Sequence, residues 1–163
     1  MKKIKLEILG LSSSQSQTGS FALVLGETEG NRRLPIIIGM FEAQAIAIEI
    51  EKIIPNRPMT HDLFKAFASN FHFTVEEIII SDLKEGVFFA KIVCSDGLKK
   101  SEIDARPSDA IAIGLRFDLS ACYLLLINGF QHLASAFHRR FGEGLPFTQL
   151  QQDLGLFEFL FIL

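Results

Sequence analysis

The chain has 163 residues, with 16 Lys and Arg against 19 Asp and Glu and a net charge of −3. This length is typical of one domain, and the charge balance excludes an overall basic field that would attract nucleic acid or anionic lipid. With 48% hydrophobic residues and 5 prolines, the composition also excludes an intrinsically disordered chain.

The cysteines and the apolar runs bear on the cellular compartment. Cys94 and Cys122 stand apart, with no CxxC pair and no histidine at metal-ligand spacing, which argues against a disulfide framework or a structural zinc site. The N-terminus alternates charged and apolar residues, unlike a signal peptide. No apolar run approaches the ~20 residues of a membrane helix. We therefore expect a soluble, cytoplasmic protein with no membrane association.

Apolar periodicity in the first half predicts three strands and then two helices. The first strand alternates apolar with charged residues, and a polar loop and a turn signal separate it from the next two strands, which favours an antiparallel meander. Glu42 lies in the first turn of the first helix, which ends before Pro55, and Thr60 is expected to be the N-cap of the second. The predicted elements are strands at 4–8, 21–25 and 34–38, a helix at 42–53, and a helix with an apolar stripe after residue 60.

The second half predicts three more strands, at 75–80, 87–94 and 99–104, and a buried helix opened by Pro107 at its first position. Its Ala-Ile-Ala-Ile segment at 110–113 repeats that at 45–48, about 65 residues earlier. A duplicated β-hairpin-β-α unit would explain this, and chance similarity is the alternative. The predicted fold is α+β, with helices on an antiparallel sheet.

Residues 120–163 have a different composition from residues 1–119. They contain no Lys and no Val, seven of the 16 Phe and only five charged residues. Their apolar residues follow neither a period of two nor one of 3.6. Two interpretations remain open: a hydrophobic segment that docks on the domain or on a second subunit, or an out-of-frame translation. The predicted organisation is a domain at 1–119 followed by this atypical segment.

His61 and Asp62 follow the expected N-cap, so both fall in the first turn of a helix, where free N–H groups create a positive end. Such a pair could bind phosphate, ligate a metal ion or transfer a proton. The alternative is structural, because an acidic residue favours any helix start and the histidine could simply cap or pack.

A second polar group opens the third predicted helix. Ser108 and Asp109 lie in its first turn, Arg106 could bind phosphate through two hydrogen bonds, and Asp104 could hold a divalent cation. The alternative is an ion pair of Arg106 with Asp104 or Asp109 that clamps the helix entrance. If the two halves pack face to face, Glu42 could join these acidic helix starts.

Four segments together resemble the bifunctional nuclease domain family, which is widespread in bacteria and plants. They read LPIIIGMFEA at 34–43, PNRPMTHDL at 55–63, EGVFFA at 85–90 and DARPSDAIA at 104–112. The resemblance covers about residues 1–119, after which the chain departs from the family pattern. It implies an α+β domain, a homo-oligomer, and an activity that cleaves both RNA and DNA.

The polar positions of these motifs form the candidate site of a phosphodiesterase. His61 would act as general acid or base, and the arginines would grip the phosphate. The candidate catalytic residues are His61, Asp62, Asp104 and Asp109, and the candidate phosphate-binding residues are Arg57, Thr60, Arg106 and Ser108. Glu42, Asp62 and Asp104 are the candidate ligands of a divalent cation, Mg or Mn. The alternative function is a non-catalytic oligomeric binding or regulatory module in which the same residues cap helices and join subunits.

Overall fold

A mixed sheet with helices on one face organises the part of the chain that the structure describes. The computed structural model describes residues 3–13 and 19–125. The first half comprises β1 (Lys3–Ser13), β2 (Ser20–Glu27), β3 (Arg33–Gly39), α1 (Met40–Ile50) and α2 (Thr60–Asn70). The second half comprises β4 (Thr74–Lys84), β5 (Val87–Ser95), β6 (Lys100–Ala105), α3 (Pro107–Arg116) and β7 (Ala121–Leu125). The predicted α+β class is confirmed.

The sheet has the strand order β3-β2-β1-β7-β4-β5-β6. Neighbouring strands are antiparallel except β4 and β7, which are parallel. Three strands and a helix in the first half are matched by three strands and a helix in the second, and β7 joins the two sets at the centre. This is the order of elements that the predicted repeat requires.

The repeated Ala-Ile segments lie in α1 and α3, which pack against each other. Ala45, Ile46, Ala110 and Ile111 are all buried, and α3 also contacts β4 and β5.

The helix α2 lies at the periphery and packs mainly on α3. Of its residues only Ala68 is fully buried, and Phe64 packs against the core. The rest of the predicted apolar stripe faces solvent, since Leu63, Phe67 and Phe71 are exposed. The helix is therefore held by few apolar contacts.

The strand β7 extends the folded unit past the boundary predicted at residue 119. It pairs with β1 on one side and β4 on the other, with Leu6 opposite Cys122 and Ile80 opposite Leu124. Its sequence, ACYLL, lacks the alternation of apolar and polar residues that marks a half-buried strand. The two interpretations of the remaining segment concern residues 126–163, which lie outside the described residues. Within the described residues, the helices are too short or too polar to cross a membrane.

Candidate functional site

Ionisable side chains from the first turns of α1, α2 and α3 meet in a group that we call the helix-start cluster: Glu42, His61, Arg106 and Asp109. Arg106 Nε and Nη2 donate to the two carboxylate oxygens of Asp109 at 2.7 and 3.1 Å. Its Nη1 lies 2.9 Å from Glu42 Oε1. His61 Nε2 lies 3.5 Å from Asp109 Oδ1. The structure thus brings together three of the predicted helix starts.

Local backbone chemistry places Arg106 at the centre of this cluster. The residue precedes Pro107, whose ring disfavours a helical conformation for its predecessor, and Arg106 is extended at φ −69° and ψ 145°. It is the N-cap residue of α3, so its side chain can fold back onto Asp109 in the first helical turn. The two parallel hydrogen bonds are the geometry in which arginine binds a carboxylate most strongly.

Exposure within the cluster is uneven. The Arg106 side chain is 67% exposed, whereas those of Glu42 and His61 are 18% and 14% exposed. The hydrogen bonds that Arg106 donates to Asp109, and then those to Glu42, raise the pKa of Arg106 above its ordinary value. A permanently charged, largely exposed guanidinium therefore shares the Asp109 carboxylate with the imidazole of His61. This arrangement can bind an anion and transfer a proton.

Asp62 follows His61 but points to different partners. Its Oδ2 accepts a hydrogen bond from the Met59 N–H at 2.8 Å, and its Oδ1 accepts one from Arg116 Nε. Burial alone would raise the pKa of Asp62, but these hydrogen bonds outweigh it and lower the pKa. Thr60 is not the N-cap as expected: Met59 has that position, and Thr60 is the exposed first residue of α2.

Arg116, in the last turn of α3, is a buried residue that sequence reasoning missed. It is 3% exposed, and its Nη1 donates to the carbonyl oxygens of Ala45 at 3.3 Å and Ala112 at 2.8 Å. A basic residue at a helix end usually faces solvent and complements the helix dipole. The available signal was that α3 is apolar nearly all round, so a long side chain at its end has buried surface beside it.

The structure separates Asp104 from the helix-start cluster. Asp104 lies on β6 opposite Lys91, whereas the adjacent Ala105 lies opposite the buried core residue Ala90. Since side chains alternate along a strand, Asp104 projects from the face of the sheet opposite to α1 and α3.

The remaining predicted phosphate-binding residues occupy three different environments. Arg57 is exposed in the connection between α1 and α2, and Thr60 is exposed at the start of α2. Ser108 is buried in the first turn of α3, at 6% exposure. Of the residues predicted to contact phosphate, Arg106 is the one that the structure places in the cluster by measured contacts.

The three carboxylates expected to hold a divalent cation are not assembled. Asp104 lies on the other face of the sheet, both oxygens of Asp62 accept hydrogen bonds, and Glu42 pairs with Arg106. Across residues 3–13 and 19–125, no three His, Cys, Asp or Glu side chains are grouped so that they could hold a metal ion. The predicted metal site therefore does not fit the arrangement of these residues.

The fold and the helix-start cluster together describe the class of protein: an α+β domain in which the charged first turns of three helices meet beside a seven-stranded sheet. The chain belongs to the bifunctional nuclease domain family, whose family model matches residues 23–123. The family resemblance seen in the four motifs is thereby confirmed. The match ends within β7, beyond residue 119.

Two similar proteins come from Mycobacterium tuberculosis, the uncharacterized proteins MT1877 of strain CDC 1551 and Rv1829 of strain H37Rv. Each is 39% identical to this chain over 112 residues, which is 69% of this chain. The chain covers 66% of the length of each relative, slightly less than two thirds.

Proposed function

We propose that the protein hydrolyses phosphodiester bonds in RNA and DNA at the helix-start cluster. Membership of the bifunctional nuclease domain family supports a nuclease-like function at the level of the family. The observation that carries the proposal is the contact of one carboxylate, Asp109, with both an imidazole and an exposed guanidinium. These are the parts that hydrolysis of a phosphodiester needs: a base, a group that orients it, and a cation for the developing charge.

In the proposed reaction, His61 acts as general base. Its Nε2 faces Asp109, so Nδ1 is the atom that accepts a proton from water. The water oxygen attacks phosphorus, the bond from phosphorus to the sugar oxygen breaks, and the proton can return from His61 to that departing oxygen. Asp109 orients the imidazole and stabilises its protonated form, in the role that a carboxylate has beside other catalytic histidines.

Arg106 is the proposed phosphate-binding residue, with Arg57 as a second contact for the nucleic-acid backbone. The exposed guanidinium can exchange part of its bonding to Glu42 for a phosphate oxygen. A net charge of −3 opposes nucleic-acid binding, so we expect weak affinity that falls steeply with salt. No step is assigned to a divalent cation, because the candidate ligands are not grouped.

The test is cleavage of fluorescently labelled single-stranded RNA and DNA by the full chain, with and without EDTA. His61→Asn should abolish most cleavage. His72→Asn is the matched control, since His72 is an exposed histidine just beyond the C-terminal end of the same helix. Loss of activity in both variants, or in neither, would contradict the assignment of His61 as the base.

One observation favours a second function, that of a non-catalytic oligomeric binding or regulatory module. Arg106 bridges Glu42 of α1 and Asp109 of α3, which is what a residue that clamps two helices would do. In this alternative Arg106 contributes to stability or assembly, and the purified protein shows no turnover. The two functions differ in what removal of Arg106 changes.

A further inference from the structure

We propose that Arg116 positions the helix-start cluster by joining the three helices that supply it. One guanidinium contacts α2 through the Asp62 carboxylate, α1 through the Ala45 carbonyl, and α3 through the Ala112 carbonyl. Arg116 itself does not touch the substrate in this proposal. Its catalytic consequence depends on the proposed nuclease function, whereas its effect on the position of His61 does not.

The helices joined by Arg116 are those that carry the cluster. Glu42 lies in the first turn of α1, His61 in that of α2 and Asp109 in that of α3. Asp62 directly follows His61, so the hydrogen bond to Arg116 fixes the backbone next to the proposed base. A displacement of α2 relative to α3 would change the separation of His61 Nε2 from Asp109 Oδ1, which is 3.5 Å.

The peripheral helix α2 depends on this contact because its other attachments are few. Ala68, near its C-terminal end, is its one fully buried residue. Near its N-terminal end, Asp62 accepts a hydrogen bond from the Met59 N–H within the start of α2, and the hydrogen bond from Arg116 to Asp62 ties that turn to α3. Lysine could not replace Arg116, since a single ammonium group lacks the rigid, planar fork that directs donors to several acceptors.

Positioning and stability are separable at this residue. A buried ion pair is often worth no more than apolar side chains of similar volume, because desolvation offsets the attraction. Arg116 Nη2 is buried and has no hydrogen-bond partner within the part of the chain that the structure describes. The hydrogen bonds of Arg116 therefore compensate only part of the cost of removing its charge from water. Replacing both charges at once should therefore keep the fold while removing the contact that orients α2.

The decisive variant is Arg116→Met combined with Asp62→Asn. Methionine fills much of the arginine volume without charge, and asparagine retains an oxygen that can accept the Met59 N–H. Arg116→Lys is the conservative variant, and Arg32→Met is the control, because Arg32 forms an exposed ion pair with Glu27. The measurements are thermal unfolding, the NMR signals of the His61 ring, and kcat and KM on single-stranded RNA.

The double variant and Arg116→Lys should remain folded but shift the His61 ring signals. They should lower kcat on the order of 10- to 100-fold with little change in KM, since a small misplacement of a catalytic group has effects of that size. The control should leave the His61 signals and kcat unchanged. A folded double variant with wild-type His61 signals and wild-type kcat would overturn the proposal.

Other outcomes are also decisive. If the double variant does not fold, the His61 signals of the single variant Asp62→Asn take its place, and unchanged signals in that variant overturn the proposal. If every variant unfolds, Arg116 serves the fold and not the placement of α2, which also overturns it. If the wild-type protein has no nuclease activity, the proposed function fails, and the His61 signals still test the positioning.

Discussion

Removal of the Arg106 side chain separates the catalytic function from the structural one. Arg106→Ala deletes the bidentate contact with Asp109 and the contact with Glu42 in one step. If Arg106 binds phosphate, the change costs activity and little stability. If Arg106 clamps α1 to α3, the change costs stability and little activity.

The magnitudes follow from exposure. The Arg106 side chain is 67% exposed, and ion pairs at such positions contribute roughly 0–1 kcal/mol each because water screens them. A loss of about 1 kcal/mol lowers Tm by roughly 2–4 °C in a chain of this size. A charge-assisted hydrogen bond to phosphate contributes about 1.5–3 kcal/mol. Its loss lowers kcat/KM by roughly 10- to 150-fold.

The assay measures Tm and kcat/KM on single-stranded RNA for Arg106→Ala, Arg106→Lys and Arg32→Ala. Arg32 is the matched control, since its side chain is 47% exposed and pairs with Glu27 at the connection between β2 and β3. It should lose a few degrees of Tm and no activity. Arg106→Lys should recover part of the activity, because lysine keeps the charge but not the two-point geometry. A large drop in the Tm of Arg106→Ala with unchanged kcat/KM would refute the phosphate-binding role.

Three further predictions concern stability and reactivity. Burial raises the pKa of Asp62, but hydrogen bonds outweigh this effect and hold the pKa below the ordinary value of 3.8. The stabilisation by the Asp62 carboxylate is therefore complete above that pH and is lost as the pH falls. Between about pH 5 and 2 the Tm should fall more steeply in wild type than in Asp62→Asn, and parallel curves would contradict this. Gly114→Ala should lower the free energy of unfolding, measured in urea, by about 1–3 kcal/mol, because the added Cβ would lie 2.7 Å from Ile78 Cγ1. An unchanged urea midpoint would show that the core accommodates the methyl group without loss of stability. Burial raises the pKa of Cys122 to about 12 and also raises that of Cys94, so both thiols should resist a thiol reagent at about pH 8 until the protein unfolds, and rapid labelling of native protein would count against their burial.

Much of this fold follows from local patterns. Alternation identifies β1, and the repeated Ala-Ile segments lie in the two helices, α1 and α3, that pack against each other. The pairing of Arg106 with Asp109 was also among the alternatives, since residues three apart at a helix start are neighbours. Each of these features depends either on residues that are close in sequence or on the apolar face of a single strand or helix, which must be buried against the rest of the domain.

The features that were missed depend on long-range packing. The strand β7 is recognisable only beside β1 and β4, because its sequence, ACYLL, shows no alternation of apolar and polar residues. The role of Arg116 depends on Asp62, which lies 54 residues earlier in the chain. The apolar character of α3 indicates buried surface beside Arg116, but it does not identify the residues of α1 and α2 that Arg116 contacts.

The placement of Asp104 shows why one motif does not define one site. The segment DARPSDAIA crosses the junction between β6 and α3. Up to Ala105 the chain follows strand geometry, which sends Asp104 to the face opposite the helices, and from Arg106 onward it follows helix-start geometry, which brings Arg106 and Asp109 together. Acidic residues five positions apart in one motif therefore lie on opposite faces of the sheet. An Asp104→Asn variant then probes the sheet face opposite the helices, and an effect on cleavage would mean that nucleic acid also contacts that face.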